Sequence, residues 1–282
     1  MRRFLYDNHN HSQFSFDGGR TTLERSARVA AGLGLGGICF TDHADYHRPA
    51  MKAAYEPDVE ETFDLAARQA ELERVRALLQ AEGSGLRVFS GIEIGLGPDN
   101  RQWIADCLRT TGFDEVIASL HYLDDTDPYW GPYYEGKTWQ EAYGHYLETL
   151  YREAAWLGDG FDILGHFDYI VRYAPYPQAG IRYRDFPDLL DALFRLLAER
   201  GQALEINTRT YQEKKGRRPR LDEDVLRRFR ELGGEALSLG SDSHEAGQVG
   251  FRFDDWAAYL KGLGFRYLAH FEGRRRCMTR IP

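Results

Sequence analysis

Short apolar runs alternate along the chain with longer segments of helical spacing. The runs fall around residues 4–9, 35–41, 87–94, 114–120, 161–166, 203–207 and 235–241. Most are too short for helices and are bounded by Gly, Asp or Asn, so they read as strands. Helical patterns cover 21–33, 59–81, 139–157, 186–198 and 222–232, with 254–263 after the last run. The first opens Thr21-Thr22-Leu23-Glu24, the pattern of a capping box. The second is long and charged, with Leu65, Leu72, Val75, Leu78 and Leu79 along one face.

Strand–helix alternation predicts a parallel sheet with helices packed outside it. About seven such units predict a closed or nearly closed barrel in one domain. A doubly wound open sheet is the competing arrangement. No GxGxxG follows the first strand and no GxxxxGK[ST] occurs, so no nucleotide loop supports it.

The polar residues that end the runs carry the chemistry. His9 and His11 lie in DNHNHSQFSFDG, and His43 ends GGICFTDH. His121 ends EVIASLH, His166 ends FDILGH and His244 ends LSLGSDSH, while RVFSGIEIG carries Glu93. In a barrel these positions converge on one mouth, at the C-terminal ends of the strands. Imidazole nitrogen and carboxylate oxygen suit zinc, manganese and iron. In His9-Asn10-His11, strand alternation puts both imidazoles on one side, and Asp242-Ser243-His244 repeats that spacing.

Composition narrows the partners. The net charge of -8 leaves no general basic surface for nucleic acid or acidic lipid. A small anionic substrate is still compatible, because bound dications reverse the local potential. Cys39, Cys107 and Cys277 form no CxxC pair, so neither a disulfide framework nor a structural zinc module is expected. No apolar stretch reaches the length of a membrane helix, and the N-terminus already carries the first histidines. The default is a cytoplasmic enzyme. No sequence signal sets its oligomeric state.

The motifs HNHS…D, TDH, GIEIG, SLHY, ILGHFD, EINT and GSDSH, in that order, resemble the polymerase and histidinol phosphatase (PHP) superfamily. The segments LDDTDPYWGPYYEGKTWQEAYGHYLETL, GHFDYIVRYAPY and GFRFDDW…GLGFRYLAHFEGRR are similar to its histidinol-phosphatase branch. The resemblance implies a distorted (β/α)7 TIM-like barrel over residues 1–282, with two or three divalent ions (Zn, Mn or Fe) at the strand ends. It implies one ion on His9, His11, Glu93 and Asp242, a second on Glu93, His121 and His166, and a third on Asp17, His43 and His244. Some branches carry His at the position of Asp17, and an acidic ligand there is chemically reasonable.

The implied reaction is phosphomonoester hydrolysis by a metal-bridging hydroxide that attacks phosphorus. The substrate is a small phosphorylated metabolite, with L-histidinol phosphate of histidine biosynthesis first. Asp242 and His244 are candidates for proton handling, and Asp42 for orienting a ligand. Arg172, Arg209 and Tyr122 are candidate substrate contacts. Related chains commonly read NTSGLR where this one reads NTRTYQ, which leaves Gln212 at the arginine position and Arg209 three residues earlier.

Other readings stay open: phosphatase action on a nucleotide, sugar phosphate or phosphotyrosine, a metal-dependent amidohydrolase, and a non-enzymatic metal-binding module. Residues 124–137 follow His121 and are expected to roof the site. Tyr122, Tyr129, Trp130, Tyr133 and Tyr134 are candidates for stacking on a substrate amine or imidazole. Residues 213–220 (EKKGRRPR) read as a solvated loop or a phosphate-attracting rim. His145 and His270 are expected to pack or face solvent, and His47 lies near the mouth.

Overall fold

The computed structural model describes residues 4–45, 62–124, 126–214 and 216–282. The strands are β1 (Tyr6–Asp7), β2 (Gly37–Phe40), β3 (His43–Ala44), β4 (Arg87–Gly95), β5 (Glu115–Ser119), β6 (Ile163–Leu164), β7 (Ala203–Asn207) and β8 (Leu237–Gly240). All pair in parallel, in the order β1-β2-β4-β5-β6-β7-β8, with β3 also on β4. Because β2 and β3 lie on the same neighbour in continuous register, they are one strand interrupted at residues 41 and 42.

The ends of the sheet meet beyond β1. Asn8 N donates to Leu239 O at 3.0 Å, Asp242 N to His9 O at 2.8 Å and His11 N to Ser243 O at 2.9 Å. These bonds pair the sequences that carry the first and last histidine motifs, so closing the barrel also assembles its mouth.

The helices are α1 (Leu23–Leu33), α2 (Leu65–Ala81), α3 (Arg101–Thr110), α4 (Trp139–Leu157), α5 (Tyr169–Tyr173), α6 (Pro187–Arg200), α7 (Glu223–Glu231) and α8 (Phe253–Gly262). The capping box expected at Thr21 does not form. Thr22 is the N-cap, its hydroxyl accepts from Arg25 N at 3.2 Å, and Glu24 therefore falls one position too early to reciprocate. A reciprocal box closes α4 instead: Glu141 N donates to Thr138 Oγ1 at 3.3 Å, and Thr138 N to Glu141 Oε2 at 2.8 Å.

α2 supplies one buried cation, Arg68, which is 1% exposed. Its guanidinium donates to Asp42 Oδ2 at 2.6 Å, Gly91 O at 2.9 Å and Ser90 Oγ at 3.1 Å, and also to Phe40 O. The interruption between β2 and β3 frees a carbonyl that the ladder would otherwise occupy, and Arg68 satisfies it.

The sequence pattern shows neither α3 nor the antiparallel hairpin β9 (Tyr267–Glu272)–β10 (Arg275–Arg280). The hairpin lies under the N-terminal ends of the barrel strands. There Arg274 N donates to Asp114 O at 2.9 Å, and Ala269 and Phe271 pack with Ile117, Ile163, Ala203 and Ala236. His270 stacks on Tyr6 with ring centroids 3.7 Å apart, as a packing residue.

Candidate metal centre

Glu93 enters the mouth from the C-terminal half of β4, where its neighbours in the strand are apolar. Its carboxylate is fully buried and five imidazoles surround it. His121 Nε2 and His166 Nε2 lie 3.3 and 2.9 Å from Oε1. His9 Nε2, His11 Nε2 and His43 Nδ1 lie 3.2, 3.5 and 2.8 Å from Oε2. Asp242 Oδ1 lies 3.3 Å from His11 Nε2. His244 Nε2 approaches Asp17 Oδ2 at 2.7 Å, with His43 Nε2 3.8 Å from the same oxygen. His43 thus stands between the set around Glu93 and the set around Asp17.

Outer partners orient these rings. His9 Nδ1 lies 2.8 Å from Glu205 Oε1, so a proton donated there leaves a lone pair on Nε2 facing Glu93. The other oxygen of Glu205 accepts His166 N at 2.6 Å, which ties β1 to the end of β6. Asp45 holds His121 Nδ1 at 3.0 Å. Ser15 Oγ lies 2.9 Å from His11 Nδ1 and accepts His43 N at 2.9 Å.

Two glycines make this possible. A Cβ on Gly95 would lie 1.6 Å from Asp45 Oδ1, and one on Gly240 would lie 2.0 Å from Glu205 Oε1. Glu205 and Asp45 are the residues the sequence reading missed. The available signals were an acid inside the apolar run ALEIN and, for Asp45, the side of the strand shared with His43.

Charge is divided unevenly across the cluster. Burial opposes ionisation of Glu93, but His9, His43 and His121 outweigh it and hold its carboxyl well below the usual range. Burial also opposes a proton on His9, yet Glu93 and Glu205 push it well above the ordinary imidazole value. Burial, with His244 and His43 beside it, drives His11 well below that value. Asp242 is partly buried, and Arg209 and His11 hold its carboxyl well below the usual range.

The fit to a dication is decided by unsatisfied atoms. His9 Nε2, His11 Nε2, His43 Nδ1 and Glu93 Oε2 are buried and make no hydrogen bond. Buried polar atoms without partners are uncommon, and here several converge on one carboxylate. At the mouth, three groups have their ligand atoms within 4.8 Å of one another: His9, His11 and Glu93; His43, Glu93 and His121; and His11, Asp17, His43 and His244. Such mixed nitrogen and oxygen donors fit zinc, manganese or iron. A fourth such group among the described residues, His270, Glu272 and Cys277, lies on the terminal hairpin.

The mouth opens into a cavity of about 380 Å³ lined by Arg172, Arg209, Gln212 and Tyr122 among others. Arg209 donates to Asp242 O at 2.8 Å, and its guanidinium also meets His244 Nδ1. It therefore reaches the mouth from three residues before Gln212, which lines the same cavity with a buried, unpartnered Nε2. Arg172 donates to Arg209 O, so the two arginines form one basic wall. Asp242 sits at φ +50°, a left-handed conformation that costs a non-glycine residue roughly 1–3 kcal/mol, at the position where β8 delivers it to the cluster.

The remaining expectations divide. Asp42 does not line the cavity: Oδ1 accepts Ser12 N at 2.6 Å and Oδ2 accepts Arg68, so it braces the loop after His11. Tyr133 and Tyr134 turn away from the cavity and donate to Ala142 O and Ile170 O, each at 2.8 Å. Tyr122 and Tyr129 do line it. From the basic loop, Lys214 stands over the rings of Tyr129 and Tyr173 at 4.6 and 4.1 Å, which makes that loop part of the rim. His145 pairs with Asp124 at 2.8 Å on the surface. His47 and the side chain of Trp130 lie outside the described residues.

The PHP domain family matches residues 7–209. A histidinol-phosphatase from Lactococcus lactis subsp. lactis is 31% identical over 95% of this chain and 95% of its own. A probable histidinol-phosphatase from Clostridium acetobutylicum is 28% identical over 88% of this chain and 90% of its own. The fold is similar to a crystal structure of histidinol phosphate phosphatase from Lactococcus lactis, in complex with zinc, L-histidinol and phosphate. The TM-score is 0.84 at 29% identity, covering 97% of this chain and 99% of that one. With strand-end motifs, closed parallel barrel and relatives in agreement along nearly its whole length, the chain belongs to the PHP family, in its histidinol-phosphatase branch.

Proposed function

We propose that this protein is a metal-dependent phosphomonoesterase that hydrolyses L-histidinol phosphate to L-histidinol and inorganic phosphate. The observation that carries the chemistry is the single buried carboxylate of Glu93 shared by five imidazoles, beside a wall of two arginines. Support for the substrate comes from the relatives, one of which is described in complex with zinc, L-histidinol and phosphate.

His9, His11, Glu93 and Asp242 would hold one divalent ion, Glu93, His121 and His166 a second, and Asp17, His43 and His244 a third. Bound there, the ions supply Lewis-acid polarisation of the phosphoryl oxygens and water of lowered pKa. The chain's own residues do the rest. Glu205 and Asp45 fix the ring orientation of His9 and His121. Arg172 and Arg209 bind the phosphoryl oxygens and hold the ester in line, a task that suits the planar guanidinium. Asp242 and His244, both against Arg209, line the cavity, and we assign to them the passage of the proton that the attacking water loses. Water adds to phosphorus and loses a proton, the ester P–O bond breaks, and the proton lost by the water completes L-histidinol.

The test is phosphate release from L-histidinol phosphate beside nucleotide, sugar, aryl and phosphotyrosine esters, with and without chelator. The expected result is chelator-sensitive turnover with strong preference for histidinol phosphate. Preference for another ester would overturn the substrate, and chelator-resistant turnover would overturn the metal chemistry.

A further inference from the structure

The terminal hairpin carries a second constellation, at the end of the barrel opposite the mouth. Gly273 and Arg274 turn it at φ +54° and +63°, the left-handed pair that a tight two-residue loop requires. That turn sets the register and puts Cys277 of β10 directly opposite His270 of β9. Glu272 follows His270 by two residues, so it shares the same face of the ribbon. The segment HFEGRRRC thus brings a nitrogen, an oxygen and a sulfur donor together. Their ligand atoms lie within 4.8 Å of one another.

The surroundings hold this group in place. The face of the His270 ring stacks on Tyr6 at 3.7 Å, with Phe89 tilted against it at 6.3 Å, so the ring is fixed by its face and offers its edge. Nε2 lies 3.1 Å from Glu272 Oε1, while Nδ1 is buried and makes no hydrogen bond. A proton on Nε2 leaves Nδ1 a bare buried acceptor. A proton on Nδ1 is itself buried unpaired, and the Nε2 lone pair then faces a carboxylate. The protein satisfies neither tautomer, and a cation on the lone pair answers both. Arg87, at the start of β4, donates to Glu272 and steadies the carboxylate as an outer partner does at a metal site. Cys277 is half-buried, and its thiol makes a long contact of 3.7 Å to Arg275 O.

We infer that His270, Glu272 and Cys277 form a second metal site, selective for a zinc-class ion and separate from the centre at the mouth. Its sulfur sets it apart. Among the described residues the ligand groups at the mouth hold nitrogen and oxygen alone, whereas a thiolate favours zinc over the hard ions that oxygen donors take. Binding releases the thiol proton to solvent, and the resulting thiolate and the carboxylate together balance the dication. Solvent completes the coordination on the half-exposed side. With three ligands the site binds more weakly than the mouth. It clips two strands already paired along 6 residues each, so it adds little to barrel closure.

Cobalt(II) is the probe, because it takes the place of zinc and a thiolate ligand gives it an intense near-ultraviolet charge-transfer band. Neither Cys39 nor Cys107 joins a ligand group among the described residues, so the band reports Cys277. The metal-free full chain is titrated with cobalt. The expected result is a thiolate band in wild type and none in Cys277→Ser. In Glu272→Gln the band should need at least about 10-fold more cobalt. Phosphate release should differ by less than about 2-fold between wild type and Cys277→Ser. A wild-type measurement guards against poor folding of the variants: zinc should slow alkylation of Cys277 by iodoacetamide at least about 10-fold, because a bound thiolate is no longer a free nucleophile.

No thiolate band at a large excess of cobalt, a band that survives Cys277→Ser, or a thiol that zinc does not protect would each overturn the site. Phosphate release that falls together with the band would overturn its separation from the centre at the mouth. None of these spectra depends on which ester is hydrolysed, so the site and the proposed function are tested independently.

Discussion

Glu93 is the residue on which the whole centre turns, because each of its oxygens serves more than one imidazole. Glu93→Gln keeps the shape and removes the charge that the cluster is built to neutralise. The expected result is at least a 100-fold loss of phosphate release, the scale for deleting one member of a preorganised electrostatic site, with less metal retained by elemental analysis. Glu205→Gln acts one step further out. The carboxylate accepts from His9 and from His166 N, and an amide keeps only part of that pull. Chelator competition is expected to show metal affinity down about 10- to 100-fold, the usual effect of losing an outer partner. Unchanged affinity would sink the orienting role. At this scale the histidines were legible because each ends an apolar run, where nothing in the core explains an imidazole. Glu205 and Asp45 were not, because a lone acid inside or just past a strand looks the same whether it faces a partner or solvent. Gly95 and Gly240 were equally silent, since their function is space for those two carboxylates.

Elements were legible in proportion to how cleanly their hydrophobic period shows. The pattern of α4 matches its observed limits, Trp139–Leu157, because a capped start and a long apolar face coincide. Thr138→Ala is expected to cost about 1 kcal/mol in denaturant unfolding, as loss of an N-cap does, with activity of the folded enzyme unchanged. α3 escaped notice because it buries only Ile104 and Cys107, too few positions to establish a helical period. β10 escaped because its outward positions are arginines, which read as a solvated tail. Its partner β9 nevertheless fills the base of the barrel. Phe271, 4% exposed, packs in the cluster with Ile117 and Ile163, far from the mouth. Phe271→Ala is expected to cost about 3–5 kcal/mol, the range for deleting a buried phenyl ring, while kcat/KM of the folded fraction holds. Lost turnover at full stability would show the hairpin to be coupled to the site.

At the scale of the molecule, barrel closure and assembly of the centre are one event. The bonds from Asn8, His11 and Asp242 that join the first strand to the last also set His9, His11 and Asp242 against Glu93. We propose that residues 1–282 form one domain, since the terminal hairpin seals the same barrel whose first strand begins the chain. A single domain with its ligands drawn from β1, β3, β4, β5, β6 and β8 and the segments that follow them has a definite thermal signature. Metal bound only to the folded state stabilises it by mass action, about 4 kcal/mol at a free concentration 1,000 times Kd. Without metal, converging imidazoles and carboxylates stay buried without partners, which weakens the same closing seam. Calorimetry is therefore expected to give one cooperative transition with metal and one at lower temperature after chelation. In Glu93→Gln the two scans should nearly coincide, because the shared ligand is gone. Two resolved transitions in the metal-loaded protein would show that the barrel and its terminal hairpin unfold separately. An unchanged transition temperature on chelation would show that metal binding and barrel closure are not linked.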